Sequence, residues 1–201
     1  MKQDSFSANP SHDDRHVVAA TREWLEKAVI GLNLCPFAKG VHAKGQIRYA
    51  VSSARTADDL LADLVAELHR LAAVDAEEID TTLLIHPHTL ADFNDYNDFL
   101  AVADAVVAQL GLEGSIQIAS FHPHYQFADA APDDIENYTN RSPYPILHLL
   151  RESSIDRAVA AFPDAADIFE RNIETMRRLG IEGWQRLGIG RPPLQKQKTK
   201  N

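Results

Sequence analysis

The sequence predicts a single-domain α/β protein with a small, mainly parallel β-α-β-α-β sheet, flanked by helices and followed by a helical C-terminal region. Three strand-like apolar runs lie between residues 47 and 121, and two segments of helical periodicity separate them. A chain of 201 residues, 45% of them hydrophobic, suits one core. We therefore predict one domain over residues 14–190, between a disordered N-terminus (1–13) and a disordered basic tail (191–201).

The first half of the chain should alternate helices with strands. A helix is predicted over residues 14–32 from apolar residues at helical spacing, and Pro36 cannot continue it. A glycine-containing loop follows over residues 39–45. The first strand is predicted over residues 47–52, and Thr56 should cap the second helix, which has an apolar stripe and an acidic outer face.

The second and third strands are predicted on either side of the third helix. The strands cover residues 81–85 and 115–121, the helix covers residues 92–110, and Gly111 suits the position after its end. Helical crossovers favour parallel strands, so the three strands should be parallel. A ferredoxin-like arrangement is the main alternative, but it needs a hairpin that the sequence does not show.

The last third of the chain begins with an irregular segment over residues 129–145. Three prolines interrupt it, and a loop this long in a compact domain is usually functional or disordered. Three helices are predicted after it, over residues 146–151, 155–161 and 165–179. Gly180 should end the last of them, before a short helical turn around Trp184.

Composition narrows the classes of function. The formal charge is −9, and the last eleven residues hold four of the 20 basic groups, which leaves 16 basic against 29 acidic residues in the body. Such a body repels phosphate backbones, so no nucleic-acid partner is expected. One cysteine fits a reducing cytoplasm, and no stretch is apolar enough for a membrane span. We predict a cytoplasmic protein with a small-molecule ligand.

The sequence His-Pro-His occurs twice, each time directly after a predicted strand. His86 and His88 follow the second strand, and His122 and His124 follow the third. Neighbouring parallel strands would bring all four imidazoles to the carboxyl edge of the sheet, where such folds bind ligands. Residues i and i+2 of extended chain share a side, so these histidines could bind a transition metal ion. The alternative is that polar residues and prolines simply end the strands.

Cys35 lies in the segment Leu-Cys-Pro-Phe, at the predicted end of the first helix. It is either a small buried hydrophobe or a reactive thiol. The negative end of the helix dipole would disfavour a thiolate there, unless His122 or Arg141 lies nearby. A Cys–His nucleophilic pair would require the two groups within hydrogen-bond reach.

Residues 136–145 combine two phenols, a guanidinium, amides and hydroxyls. Arg141 could clamp a carboxylate or phosphate, and Asn140 could orient a substrate. The other candidate binding residues are Tyr125, Tyr144 and His148. The alternative is a well-tied surface loop, whose side chains satisfy their own turns.

Three segments together resemble a bacterial family known as a domain of unknown function. They are Asn-Leu-Cys-Pro-Phe-Ala at residues 33–38, Phe-His-Pro-x-Tyr-x-Phe at 121–127 and Thr-Asn-Arg-Ser-Pro-Tyr-Pro at 139–145. The resemblance covers about residues 15–190. It implies a cytoplasmic bacterial protein, singles out His122 over His124, and implies no particular activity or ligand.

The leading functional hypothesis is a small-molecule enzyme with a cleft at the carboxyl edge of the sheet. His122 would be the general acid or base, Cys35 a nucleophile or redox thiol, and Arg141 an anion clamp. One alternative is a histidine-based metal-binding protein. Another is a non-catalytic binding or scaffold module, in which these residues only hold the fold together. The substrate and the oligomeric state are left open.

Overall fold

Four strands form one mixed sheet in the computed structural model, which describes residues 12–160 and 167–189. The strands are β1 (Ile47–Val51), β2 (Thr81–Ile85), β3 (Ile116–Phe121) and β4 (Ile146–Arg151). Their order is β1-β2-β4-β3, with β1 parallel to β2 and β4 antiparallel to both of its neighbours. The α/β prediction is confirmed, and the mainly parallel sheet is corrected to a mixed one.

The helix predicted over residues 146–151 is wrong, because this segment is the central strand β4. Leu147 and Leu149 are buried on one face of the sheet, while Ile146 and His148 lie on the other. A strand covered on both faces is mainly apolar, as in Ile-Leu-His-Leu-Leu-Arg, so its sequence shows no regular alternation and cannot be told from a short buried helix. Since β4 lies between β2 and β3, the two His-Pro-His segments do not follow neighbouring strands.

Two helices cover one face of the sheet. They are α3 (Ala57–Ala73) and α4 (Phe93–Gln109), and both were expected at these places. The Thr56 hydroxyl accepts a hydrogen bond from the Asp59 N–H, as predicted for a cap, and Asp92 caps α4 in the same way. The core on this face contains Leu60, Leu64, Leu68, Tyr96, Leu147 and Leu149.

The N-terminal segment covers the opposite face. Helix α1 (His12–Trp24) continues as a π-helical segment, Leu25–Ile30, and a short helix α2 (Ala38–Ala43) replaces most of the predicted glycine-containing loop. Of the N-terminus predicted to be disordered, residues 12 and 13 belong to α1, and the rest lies outside the described residues. The core on this face contains Trp24, Leu25, Ala28, Leu83, Ile85 and Ile146.

The chain ends in helices, as predicted. Helix α5 (Glu152–Ala160) follows β4 directly, and α6 (Ile168–Leu187) bends at Gly180, where φ is +64°. The second part of α6 contains Trp184, which contacts Tyr138 in the 3-10 helix Ile135–Thr139. The predicted tail over residues 191–201 lies outside the described residues. No helix in the described part of the chain is long and apolar enough to cross a membrane.

Candidate functional site

A cavity of about 530 Å³ lies on the face of the sheet opposite to α3 and α4, between the sheet and the helical segments that cover this face. Its deep walls come from the π-helical segment, from β2 to β4 and from α5. Most of these side chains are apolar; they include Trp24, Leu25, Val29, Leu83, Phe121 and Leu150. A concave, mainly apolar space with a few polar groups is the usual form of a small-molecule site. We call it the sheet-face cavity.

The mouth of the sheet-face cavity lies at the amino ends of β1 and β2. The solvent-exposed residues of its lining are Gly40, Lys44, Glu77 and Arg157. Lys44 Nζ lies 3.9 Å from Glu77 Oε2, and Arg157 Nη2 lies 3.9 Å from Asp80 Oδ1, so two loose ion pairs border the opening. The mouth is therefore on the side opposite to the carboxyl edge, where the cleft was expected.

Thr81 and His148 form a hydrogen-bonded pair on the wall of this cavity. The Thr81 hydroxyl lies 2.6 Å from the Leu149 carbonyl and 2.7 Å from His148 Nε2. A carbonyl only accepts, so the single hydroxyl hydrogen goes to Leu149, and His148 Nε2 must donate to the Thr81 oxygen. The Nδ1 atom of His148 therefore has a free lone pair, and no described residue hydrogen bonds to it.

Burial sets the charge of His148. The side chain lines the cavity and is surrounded by protein atoms, and desolvation lowers its pKa to about 4. His148 is thus neutral at neutral pH. The neutral ring presents the lone pair of Nδ1 to the cavity. This agrees with the hydrogen bond to Thr81, which places the ring hydrogen on Nε2.

Cys35 lines the same cavity as His148. The sequence placed it at a helix end, but it also precedes α2, and the backbone of Phe37 and Ala38 lies within hydrogen-bond reach of its sulfur. These contacts lower the thiol pKa, but desolvation outweighs them and the net pKa is raised. Cys35 is therefore a neutral thiol at neutral pH.

His122 lies on the other face of the sheet from Cys35. It contacts the rings of Tyr96 and Phe93, which belong to the core beneath α4. Both ring nitrogens bind the backbone: Nδ1 accepts from the His124 N–H at 3.0 Å, and Nε2 donates to the Leu90 carbonyl at 3.1 Å. The structure thus separates His122 from the cysteine with which it was expected to act.

The four histidines of the two His-Pro-His segments do not form a ligand set. His86 is buried and donates from Nδ1 to the Thr89 carbonyl, while His88 and His124 are exposed. Burial lowers the pKa of His86 to about 4 and also lowers that of His122. Among the described residues, no group of three or more His, Cys, Asp or Glu side chains could hold a metal ion.

The polar loop after β3 is held by its own side chains. Arg141 donates to the carbonyls of Tyr125 (3.1 Å) and Pro132 (2.7 Å), and its guanidinium lies 4.3 Å from the centre of the Tyr138 ring. Asn140 donates to the Ser120 carbonyl. Arg141 Nε and Nη2 and the Asn140 amide, which were expected to bind a ligand, thus donate to backbone carbonyls of the protein itself.

Two of the remaining candidate binding residues are packing residues. The Tyr125 ring contacts Phe93 and Phe127, and Tyr144 packs against the core on the N-terminal face, where burial raises the pKa of its phenol. A second cleft, of about 670 Å³, does lie at the carboxyl edge and includes His124 and Arg141. Neither Cys35 nor His148 lines it.

Of the candidate residues, the structure brings Cys35 and His148 together in one cavity. It adds polar residues that sequence reasoning missed, namely Gln46, Asp80, Thr81, Ser154 and Arg157. The one sequence signal for them is the placement of Gln46 and Asp80 directly before β1 and β2. Nothing in the sequence indicates that α5 crosses the same opening.

Comparison with known protein families identifies the chain. A family model described as "Protein of unknown function (DUF1415)" matches residues 16–186, which is most of the chain. No curated protein and no solved structure matches the chain.

Proposed function

The chain belongs to the DUF1415 family of proteins of unknown function, and from the geometry of its site we propose that it binds a small, mainly apolar organic molecule in the sheet-face cavity. This proposal keeps the small-molecule ligand expected from the sequence. It moves the site from the carboxyl edge to the face of the sheet, and it replaces His122 and Arg141 by His148 as the central polar residue.

The proposal rests on one observation: a hydrogen-bond acceptor on the wall of a mainly apolar cavity is accessible and has no partner in the described part of the protein. His148 Nδ1 has no hydrogen-bond partner among the described residues, and Thr81 holds the ring so that this atom keeps its lone pair. This atom is accessible from the cavity, so a bound molecule with an O–H or N–H group can donate to it, and a hydrogen bond in mainly apolar surroundings is stronger than one in water. The cavity therefore suits a ligand with an apolar body and at least one donor.

Binding is supported better than nucleophilic catalysis. An activated Cys–His pair requires a lowered thiol pKa and a basic imidazole, whereas burial raises the pKa of Cys35 and lowers that of His148. We extend the proposal to catalysis only at His148, as the group that would accept a proton from the bound molecule. A base of such low pKa is weak, so binding is its primary role.

The test uses two tryptophan substitutions in one helix. Ala158 lines the cavity, whereas Ala160 is exposed, and positions i and i+2 of a helix do not share a face. We expect ligand-observed NMR to find small aromatic or branched compounds that bind the wild type and A160W but not A158W. The proposal fails if no compound binds, or if the compounds bind A158W as well as the wild type.

A second candidate function is a non-catalytic scaffold module, and a separate observation favours it. The side chains of His122, Asn140 and Arg141 bind the backbone of the molecule itself. We propose that these residues hold the fold together whatever the cavity binds. On composition alone we also propose a cytoplasmic location and a small-molecule rather than nucleic-acid partner, because the chain is acidic and has one cysteine.

A further inference from the structure

The mouth end of the sheet-face cavity carries hydrogen-bond acceptors without partners. Asp80 is only 9% exposed, and its Oδ1 accepts from the Ser154 hydroxyl at 2.5 Å, but no described residue donates to its Oδ2. Gln46 is 6% exposed and donates through Nε2 to Glu77, which leaves its Oε1 without a described partner. Together with Nδ1 of His148, three acceptors on the cavity lining are free.

The uncharged donors near these acceptors are already used. The Ser154 hydroxyl donates to Asp80, the Thr81 hydroxyl donates to Leu149, and the Gln46 amide donates to the carbonyl oxygen and to Oε2 of Glu77. Of the two cations at the mouth, Lys44 lies 3.9 Å from Glu77 Oε2, and Arg157 donates to the Ser154 hydroxyl at 3.0 Å. The Trp24 indole N–H has no partner among the described residues, but Trp24 packs edge-on against Phe121 at the other end of the cavity. A ligand group that binds between Asp80 and Gln46 must therefore bring its own donors.

We propose that the ligand of the sheet-face cavity is a primary amine, bound as its ammonium ion by Asp80 and Gln46, with its apolar body toward Trp24 and Phe121. This inference rests on the proposed function, since it names the ligand class of the same cavity. An ammonium ion has three donors and no acceptor, which complements a lining of this kind. It also carries a charge opposite to that of the nearly buried Asp80 carboxylate and could approach it more closely than Arg157 does.

Arg157 is the group that such a ligand would displace. Its side chain is 68% exposed and donates from Nη2 to the Ser154 hydroxyl at 3.0 Å, but at 3.9 Å from Asp80 Oδ1 it is too far for a hydrogen bond to that oxygen. Exposed ion pairs of this kind contribute little stability, so an ammonium ion in direct contact with Asp80 would replace it readily. Arg157 is thus a competitor for the proposed ligand and not a part of its binding site.

The experiment compares three head groups on three bodies by titration calorimetry at about pH 7, where alkyl amines are charged. The bodies are phenylethyl, cyclohexylethyl and naphthylethyl, and each is tested as amine, alcohol and carboxylate. The variants are D80N, R157A and A158W. D156N is the matched control, because Asp156 is exposed on α5 outside the cavity and its loss changes the net charge equally.

We expect the amines to bind the wild type about tenfold more tightly than the alcohols, as one charge-assisted hydrogen bond would produce. D80N should abolish this preference, D156N should retain it, and R157A should strengthen amine binding. If D80N does not fold, the proposal is tested by comparing the affinities of amines, alcohols and carboxylates for the wild type and for R157A. Alcohols that bind as tightly as amines, or weaker amine binding in R157A, overturn the amine proposal but not the cavity. If A158W binds every compound as tightly as the wild type does, or if no compound binds the wild type, both the amine proposal and the proposed cavity site are overturned.

Discussion

The imidazole of His122 holds the left-handed turn at Leu90, because its Nε2 donates to the Leu90 carbonyl at 3.1 Å. Leu90 has a φ of +53°, a conformation that side chains other than glycine rarely adopt and that needs support from its surroundings. The same ring accepts the His124 N–H through Nδ1. One side chain therefore ties the end of β3 to the loop between β2 and α4.

The substitution His122→Ala should destabilise the fold, since it frees the Leu90 carbonyl and the His124 N–H and leaves a cavity beneath α4. We expect a loss on the order of 3 kcal/mol in urea unfolding. His124→Ala is the control, because His124 is exposed, and it should change stability by less than about 0.5 kcal/mol. If H122A is as stable as the wild type, His122 is not needed to hold the turn at Leu90, and a catalytic role for it would have to be considered again.

Arg141→Lys should loosen the loop after β3 although it keeps the charge. Lysine lacks the planar fork that reaches the carbonyls of Tyr125 and Pro132 together and that stacks on Tyr138. We expect a loss of about 1–2 kcal/mol and faster proteolysis within the loop. Arg55→Lys, at an exposed position, is the comparison. Equal proteolysis rates in the two variants would show that the fork is not needed.

Tyr96→Phe should weaken the junction of β3 and β4. The Tyr96 hydroxyl donates to the Ile146 carbonyl at 2.8 Å and accepts the Phe121 N–H at 3.1 Å, and the side chain is buried. Phenylalanine leaves both backbone groups without a partner, which should cost about 1–3 kcal/mol in chemical unfolding. Tyr138→Phe, whose hydroxyl has no partner among the described residues, should have little effect. A stable Y96F variant would mean that water satisfies both groups.

Acid should destabilise the protein through its buried histidines. An unfolded histidine binds a proton near pH 6.5, whereas burial lowers the pKa of His86 to about 4 in the folded protein. Between these values the unfolded chain binds more protons, so stability is full above about pH 6.5 and falls as pH drops toward 4. For His86 the loss is on the order of 3 kcal/mol.

Unfolding by urea at several pH values measures this effect. His86→Asn should make the dependence on pH shallower across that range, whatever it does to stability at neutral pH. His69→Asn is the control, because His69 is exposed. A wild-type stability that stays constant from pH 6.5 to 4.5 would show that the buried imidazoles are not held neutral.

Cys35 should react slowly with a thiol reagent in the folded protein. Burial raises the pKa of its thiol, so little thiolate is present at neutral pH, and the labelling rate should still increase above about pH 9. The same chain in urea provides the reference, with a rate at least on the order of tenfold higher. Rapid labelling that reaches its plateau below neutral pH would instead reveal an activated thiolate.

Local patterns in the sequence were enough to predict three strands and two helices of the fold. The runs at Thr81–Ile85 and Ile116–Phe121, the Thr56 cap and the turn at Gly111 are each decided by a few neighbouring residues. Residues 146–151 could not be predicted in this way, because a strand covered on both faces shows no regular alternation of polar and apolar residues. Their place between β2 and β3 depends on pairing with residues far away in the chain.

The composition of the candidate site depends on the same pairing of strands that are distant in the sequence. The sequence identified Cys35 and His148 as chemically interesting, but it paired Cys35 with His122, which the alternation of β3 puts on the other face. It also assigned ligand binding to Arg141 and Asn140, which donate to backbone carbonyls of the protein itself. Which polar groups remain free is a property of packing, and a sequence does not show it.

The sequence by itself therefore determined the fold class, the family and the places of most elements, because propensity, capping and periodicity act over a few residues. Only the tertiary structure decided that β4 enters the sheet in antiparallel orientation, and hence that His148 meets Thr81 on the wall of a cavity. The physical reason is that strand pairing satisfies backbone hydrogen bonds between distant segments. Many pairings are locally compatible with the same residues, and only the burial of the whole core selects one of them.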